Sequence, residues 1–125
     1  MLRDRLTNKY IGTVSHGTLR NIDLLEKYSS FAREIKNQVN LKPFYKERLT
    51  GLIVESRDLL NDLSEEEINA DEEVSYMINE DWFYLFNEIA PKNCHFGSNE
   101  GDGADFGFWP NWDQLSQEEI EKMIE

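Results

Sequence analysis

Three carboxylates on a glycine-rich stretch, Glu100-Gly101-Asp102-Gly103-Ala104-Asp105, have the type and spacing to converge on a hard cation such as Ca²⁺ or Mg²⁺. The 12-residue loop ending in a bidentate Glu that defines an EF-hand is missing, however. Gly and Asp also dominate ordinary tight turns, because they tolerate positive φ and cap their own backbone. Turn chemistry is therefore the leading reading, with a metal site at Glu100, Asp102 and Asp105 as the weaker alternative. His16, Cys94 and His95 are the strongest transition-metal ligands, and their positions match no compact zinc spacing. A nucleophile–base pair would require His16 to fold beside Cys94, since on a strand the adjacent His95 points to the opposite face. A buried thiol and a hydrogen-bonded histidine are the simpler expectation. Asp105-Phe106-Gly107 spells the kinase DFG triplet, but the chain has neither the phosphate loop, the strand lysine nor the HRD loop that a kinase requires. No catalytic residue and no cofactor are assigned.

The charge is more informative. Thirteen basic and 25 acidic side chains give a net charge of −12, a balance that repels nucleic-acid phosphates and anionic membranes and favours a basic partner. The distribution is uneven: residues 1–50 carry ten Lys/Arg against five Asp/Glu, and residues 51–125 carry three against twenty. Either the acidic half presents a single-sign field, or the two halves neutralise each other on folding. A third reading is that the acidic excess serves solubility alone.

One cysteine excludes an intrachain disulfide, which fits a reducing cytoplasm. The opening MLRDRLTNKY is not followed by the apolar stretch of a secretory signal, and the longest aliphatic run is Leu52-Ile53-Val54, so no membrane span is expected. The length suits one domain, residues 1–125, with a modest core.

The elements that must position these groups follow from periodicity. Leu24, Tyr28, Phe31 and Ile35, with Leu25, Ala32 and Val39 alongside, predict a helix over about 19–39, capped by Asn21 or Thr18. Pro43 opens a second, about 43–62, whose inner face is Tyr45, Leu49, Leu52, Ile53, Ser56, Leu59 or Leu60, and Leu63. Gly51 interrupts it, marking either a close backbone approach or a weak spot. Leu63-Ser64-Glu65-Glu66-Glu67-Ile68 and Leu115-Ser116-Gln117-Glu118-Glu119-Ile120 share one code, the capping box with a hydrophobic staple, so both start helices. After a break at Asn69-Ala70-Asp71, Val74, Met77, Ile78, Trp82, Leu85, Phe86 and Ile89 predict a third long helix over about 72–89, with Asp71, Glu72 and Glu73 at its positive end. A last short helix covers about 117–124.

From Cys94 the pattern becomes two aromatic strands, a β-hairpin over about 94–109 with five or more loop residues. Residues 10–17 supply either a loop or a third strand, which a lone hairpin would need for stability. The expected class is α+β: three to four helices packed on a small antiparallel sheet. Phe96, Phe106, Phe108, Trp109 and Trp112, with Trp82 and Phe83, could pave a recognition surface or a core. The alternation in Phe106-Gly107-Phe108 favours a core, whereas Trp109-Pro110-Asn111-Trp112 is hard to bury whole and reads as an exposed patch.

Ser15-His16-Gly17-Thr18-Leu19-Arg20 with Asp23-Leu24-Leu25, and Phe86-Asn87-Glu88-Ile89-Ala90-Pro91 leading to Phe96-Gly97 and to Gly101 through Trp109, resemble a group of small proteins of tailed phages and prophages. The likeness covers about a third of the chain. Members often carry proline after the first block and before Gly101, where this chain has Asn21 and Glu100. The resemblance implies a phage origin and expression in the cytoplasm of a bacterial host, and it carries over no activity. Together with the charge it leads to the expectation of a non-enzymatic accessory protein that binds a host protein. The imagined target is a defence nuclease whose basic nucleic-acid groove is filled by carboxylates of residues 55–81 and 100–125 acting as phosphate mimics. The residues expected to touch it are Glu65, Glu66, Glu67, Asp71, Glu72, Glu73, Glu100, Asp102, Trp109 and Trp112. The alternatives are a small metal- or ligand-binding enzyme on the Gly-Asp loop and a structural or regulatory phage protein.

Overall fold

A computed structural model describes the backbone of residues 1–124 and the side chains of residues 1–122. The architecture is α+β: among the described residues, helices pack on one face of a three-stranded antiparallel sheet, and a short helix follows the last strand. In chain order the elements are β1 (Gly12–Ser15), α1 (Asn21–Gln38), α2 (Pro43–Asp62), α3 (Glu65–Ala70), α4 (Glu72–Tyr76), α5 (Phe83–Ile89), β2 (Cys94–Asn99), β3 (Asp102–Pro110) and α6 (Gln117–Ile124).

The amphipathic stripes pack as their spacing predicts. Leu24, Leu25, Tyr28, Ala32 and Ile35 of α1 face Leu49 and Ile53 of α2, and every apolar residue expected on the 72–89 face, from Val74 to Ile89, is buried. The last of these helices is continuous from α4 to α5 but contains a π-helical turn, Met77–Trp82. Val74, Ile78 and Trp82 are four residues apart, and each such step overshoots an α-helix face by roughly 40°. A wider turn takes up that drift and keeps all three directed inward. The buried Trp82 indole Nε1–H donates to Ser56 Oγ at 3.2 Å, which explains a serine in the middle of the inner face of α2.

Both capping boxes form. Ser64 Oγ accepts from Glu67 N, and the Glu67 carboxylate accepts from Ser64 N. Ser116 and Glu119 repeat the exchange. Helix α1 departs from expectation: neither Asn21 nor Thr18 caps it. Asn21 is its first residue and donates instead to Ile68 O and Ser75 Oγ, while Asn69 Oδ1 accepts from Ile22 N. The cap comes from another element because α3 docks on the start of α1, a tertiary contact that local spacing does not encode. Gly51 lies in open space, so no neighbouring backbone requires it.

In the sheet, β3 is central, with β1 and β2 on its two edges, so residues 10–17 do contribute the third strand. The hairpin loop is shorter than expected: only Glu100 and Gly101 separate the strands, and Asn99 pairs with Asp102. A register shift between Ser98 and Asn99 absorbs the irregularity, and Asn99 Oδ1 accepts from Gly101 N to close the turn. The Gly-rich run that reads as a long loop is largely strand.

The inner face of the sheet carries Cys94, Phe96, Phe106 and Phe108 against the helices. Phe96 sits edge-on to Phe83 and Phe108 and tilted to Phe86 with centroids 4.9–5.1 Å apart, and Tyr28 sits edge-on to Phe86 and Phe96. The aromatic run is thus mostly core. At the free edge, Asn87 Oδ1 accepts from Phe96 N and blocks an amide that would otherwise invite a further strand. Among the described residues, no helix is long and apolar enough to cross a membrane.

Candidate functional site

Strand alternation sends His95, Asn99, Asp105 and Trp109 to the outer face, away from the helices. Trp109 pairs with His95, and the next pair along this face is two glycines, Gly97 and Gly107, so the floor there is bare backbone. The Trp109 indole reaches across it and donates to Gly97 O at 2.8 Å. Beyond Pro110 the chain turns up: Asn111 N donates to Asn93 O, and the 3₁₀ turn Trp112–Gln114 forms a wall. Asn93 is left-handed at φ 65°, a conformation asparagine adopts more readily than most residues, and this sets the chain's entry into β2. His95 Nδ1 lies 2.7 Å from Asn111 Oδ1 and donates to it, fixing the wall to the floor. The result is a cleft of about 430 Å³, bounded by His95 and Trp109 below, Trp112 and Asp113 on one side, and Asn99 and Glu100 at the hairpin tip. Glu100, Trp109 and Trp112, singled out separately from the sequence, meet here. His95 joins them as the cross-strand partner of Trp109, and Asp113 because the chain folds back after Pro110.

The metal alternative is not supported by the geometry. Asp105 is buried and held by Thr13 Oγ1, which donates to it at 2.8 Å, and by the Asn99 amide. Asp102 is tied at the sheet edge to His16 Nε2 at 3.0 Å and accepts from Ala104 N, while Glu100 points into the cleft. Among the described residues no three His, Cys, Asp or Glu side chains are grouped so as to hold a metal ion. The reason is the strand: successive carboxylates alternate faces and find separate partners. The backbone amide of Ala104 and the nearby His16 together hold the Asp102 carboxyl below the usual carboxylate range.

Nor does His16 join Cys94. His16 meets the hairpin at its tip through Asp102, whereas Cys94 lies at the opposite end of β2, paired with Pro110. Cys94 is buried, and loss of solvation pushes its thiol up to about 11, which leaves it protonated and inert near neutrality.

The second candidate surface is acidic. Glu66, Glu72 and Glu73, with Glu55, Asp58, Asp62, Glu80 and Asp81, are exposed along the end of α2, α3, α4 and the π turn. Three of the six contact residues predicted on this segment have local duties: Glu65 pairs with Arg20 at 2.8 Å, Glu67 closes the capping box, and Asp71 Oδ1 caps Glu73 N and Val74 N. Besides the His16–Asp102 contact, two ion pairs among the described residues join the basic first fifty residues to the acidic remainder, Arg20–Glu65 and Arg48–Glu88. Mutual neutralisation by direct contact is therefore slight. Glu125, the end of the second acidic stretch, lies outside the described residues.

Comparison with protein-family models, curated proteins and solved structures finds no match to the chain. Fold and surface define it as an α+β protein with an acidic helical face and an aromatic cleft on the far side of its sheet.

Proposed function

We propose that this chain is a small acidic accessory protein that acts by binding a basic surface of another protein, with no chemistry of its own. The observation that carries the reading is the run of exposed carboxylates from Glu55 to Asp81, of which the basic half engages only Glu65. Charges held at helical spacing on a rigid scaffold steer a cationic partner and lose little freedom on binding. Following the likeness to phage proteins, the partner is a protein of a bacterial host, and a nucleic-acid-binding defence enzyme is the target whose basic groove such a face fits. The carboxylates then stand where phosphates would, in the host cytoplasm.

Affinity capture from a bacterial lysate, with and without competing duplex DNA, tests this. A nucleic-acid-binding protein should be retained at low salt, released as salt rises to physiological strength, and displaced by DNA. The triple variant Glu66→Gln, Glu72→Gln, Glu73→Gln should lose it. Retention indifferent to salt, DNA and the triple variant would remove the proposal.

A further inference from the structure

The cleft on the outer face of the sheet has a chemistry distinct from that of the acidic helices. Three of its donors are already used: Trp109 Nε1–H is given to Gly97 O, His95 Nδ1 to Asn111 Oδ1, and the Asn99 amide to Asp105. Asn99 Oδ1 is likewise occupied, by Gly101 N. The carboxylates of Glu100 and Asp113 line the cleft without an ion-pair partner among the described residues, and so do the two indoles, Trp112 being 49% exposed. No lysine or arginine lines it. A cavity of about 430 Å³ is within the range that small ligand groups occupy, roughly 300–1,000 Å³.

A site with acceptors and π faces complements a group with many donors, no acceptor and a positive charge. Guanidinium fits that description: it is planar, carries five N–H donors, forks onto carboxylates and stacks on aromatic rings. Anions are disfavoured by Glu100 and Asp113, and a neutral sugar would leave both carboxylates uncompensated. We infer that the cleft receives an arginine side chain of a protein partner, stacked between the Trp109 and Trp112 indoles and hydrogen-bonded to Glu100 and Asp113. The inference rests on the proposed function only for the basic character of the partner; the pocket itself is a separate feature.

The test uses defined peptides on the whole protein. Capped Gly-Arg-Gly is titrated while the three indole N–H signals are followed by NMR, beside its citrulline analogue, which keeps the shape and loses the charge. The Trp109 and Trp112 signals should shift and saturate, while Trp82, fully buried, stays in place. Citrulline should bind about tenfold more weakly or worse. Trp112→Ala and the pair Glu100→Gln, Asp113→Asn, all at exposed side chains, should each weaken the arginine peptide by about fivefold or more without altering the circular dichroism. No saturable shift, or equal binding of arginine and citrulline, overturns the inference. The triple helix-face variant should bind the peptide normally. If a basic protein is captured equally well by the cleft variants, the inference fails while the proposed function stands. If the peptide binds and no basic protein is captured, the inference stands and the proposed function fails.

Discussion

Replacing Gly107 by alanine tests the account of how β1 is held, and with it the outer face of the sheet. A β-carbon at Gly107 would lie 2.1 Å from Gly12 O, 2.8 Å from Gly12 C and 2.9 Å from Thr13 Cα, all backbone atoms of β1. Ordinary van der Waals contact begins near 3.4 Å, so β1 has to retreat by more than an ångström. Backbone hydrogen bonds tolerate only a few tenths. Overpacking of this kind costs about 1–3 kcal/mol. The retreat also withdraws Thr13 Oγ1 from the buried Asp105 carboxylate, which costs about 1–3 kcal/mol more. The expected loss is about 2–6 kcal/mol, a large share of the ~5–15 kcal/mol that stabilises a typical domain. Gly97→Ala, at the paired position on β2, is the control: its β-carbon meets only His95 Cδ2 at 3.6 Å and should leave stability unchanged or raise it by up to about 1 kcal/mol. Urea denaturation followed by tryptophan fluorescence measures both. Equal midpoints for the two variants would refute the reasoning, because the contrast depends wholly on where β1 crosses β3.

Gly51→Ala should stabilise by about 1 kcal/mol, since the position is exposed, mid-helix and free of neighbours; calorimetry should show the midpoint rising by a few degrees. Ser56→Ala strands the buried Trp82 indole N–H and should cost about 1–3 kcal/mol in a urea melt, whereas an unaffected midpoint would mean that the hydrogen bond contributes nothing. Tyr28 is fully buried and its hydroxyl has no partner, so Tyr28→Phe should be neutral or stabilising; a loss above about 1 kcal/mol would reveal an ordered water at that hydroxyl. Cys94 should resist a thiol reagent at pH 8 until urea unfolds the protein. Its thiol keeps in the folded state a proton that the unfolded chain gives up near pH 8.5, so stability should fall as pH rises from there towards 11, and Cys94→Ala should flatten that slope.

The helices were legible because their cause is local. Val74, Ile78, Trp82 and Ile89 announce a buried stripe by spacing alone, and Ser64 with Glu67 writes its own start. The two-residue hairpin was not legible, because Asp102, Gly103 and Asp105 read as turn formers. What draws them into strand is the pairing of Asp102 with Asn99 and of the adjoining Phe106 with Ser15 and Ser98, together with the Thr13–Asp105 bond across 92 positions of sequence. The π turn is similarly hidden: Met77–Trp82 keeps an ordinary helical pattern, and only the need to keep one face inward shows why it widens. In the cleft, Glu100, Trp109 and Trp112 stood out by type, but His95 is placed there by its register opposite Trp109 and Asp113 by the Asn111–Asn93 bond, which no spacing rule foretells.

The two surfaces differ in what they can contribute. Exposed carboxylates on α3 and α4 act through a field that salt screens over about 8–10 Å, so they govern how fast a basic partner arrives more than how long it stays. The cleft is partly enclosed, with Trp109 locked by Gly97 and His95 locked by Asn111, so a group stacked there gains contacts that salt weakens less. If one partner uses both, the helix-face variant should slow association and flatten its salt dependence, while Trp112→Ala should leave association nearly unchanged and speed dissociation. Surface plasmon resonance with the captured partner separates the two rates. Association and dissociation rates both unchanged by Trp112→Ala would show that the cleft lies outside the bound interface and that the acidic face works alone.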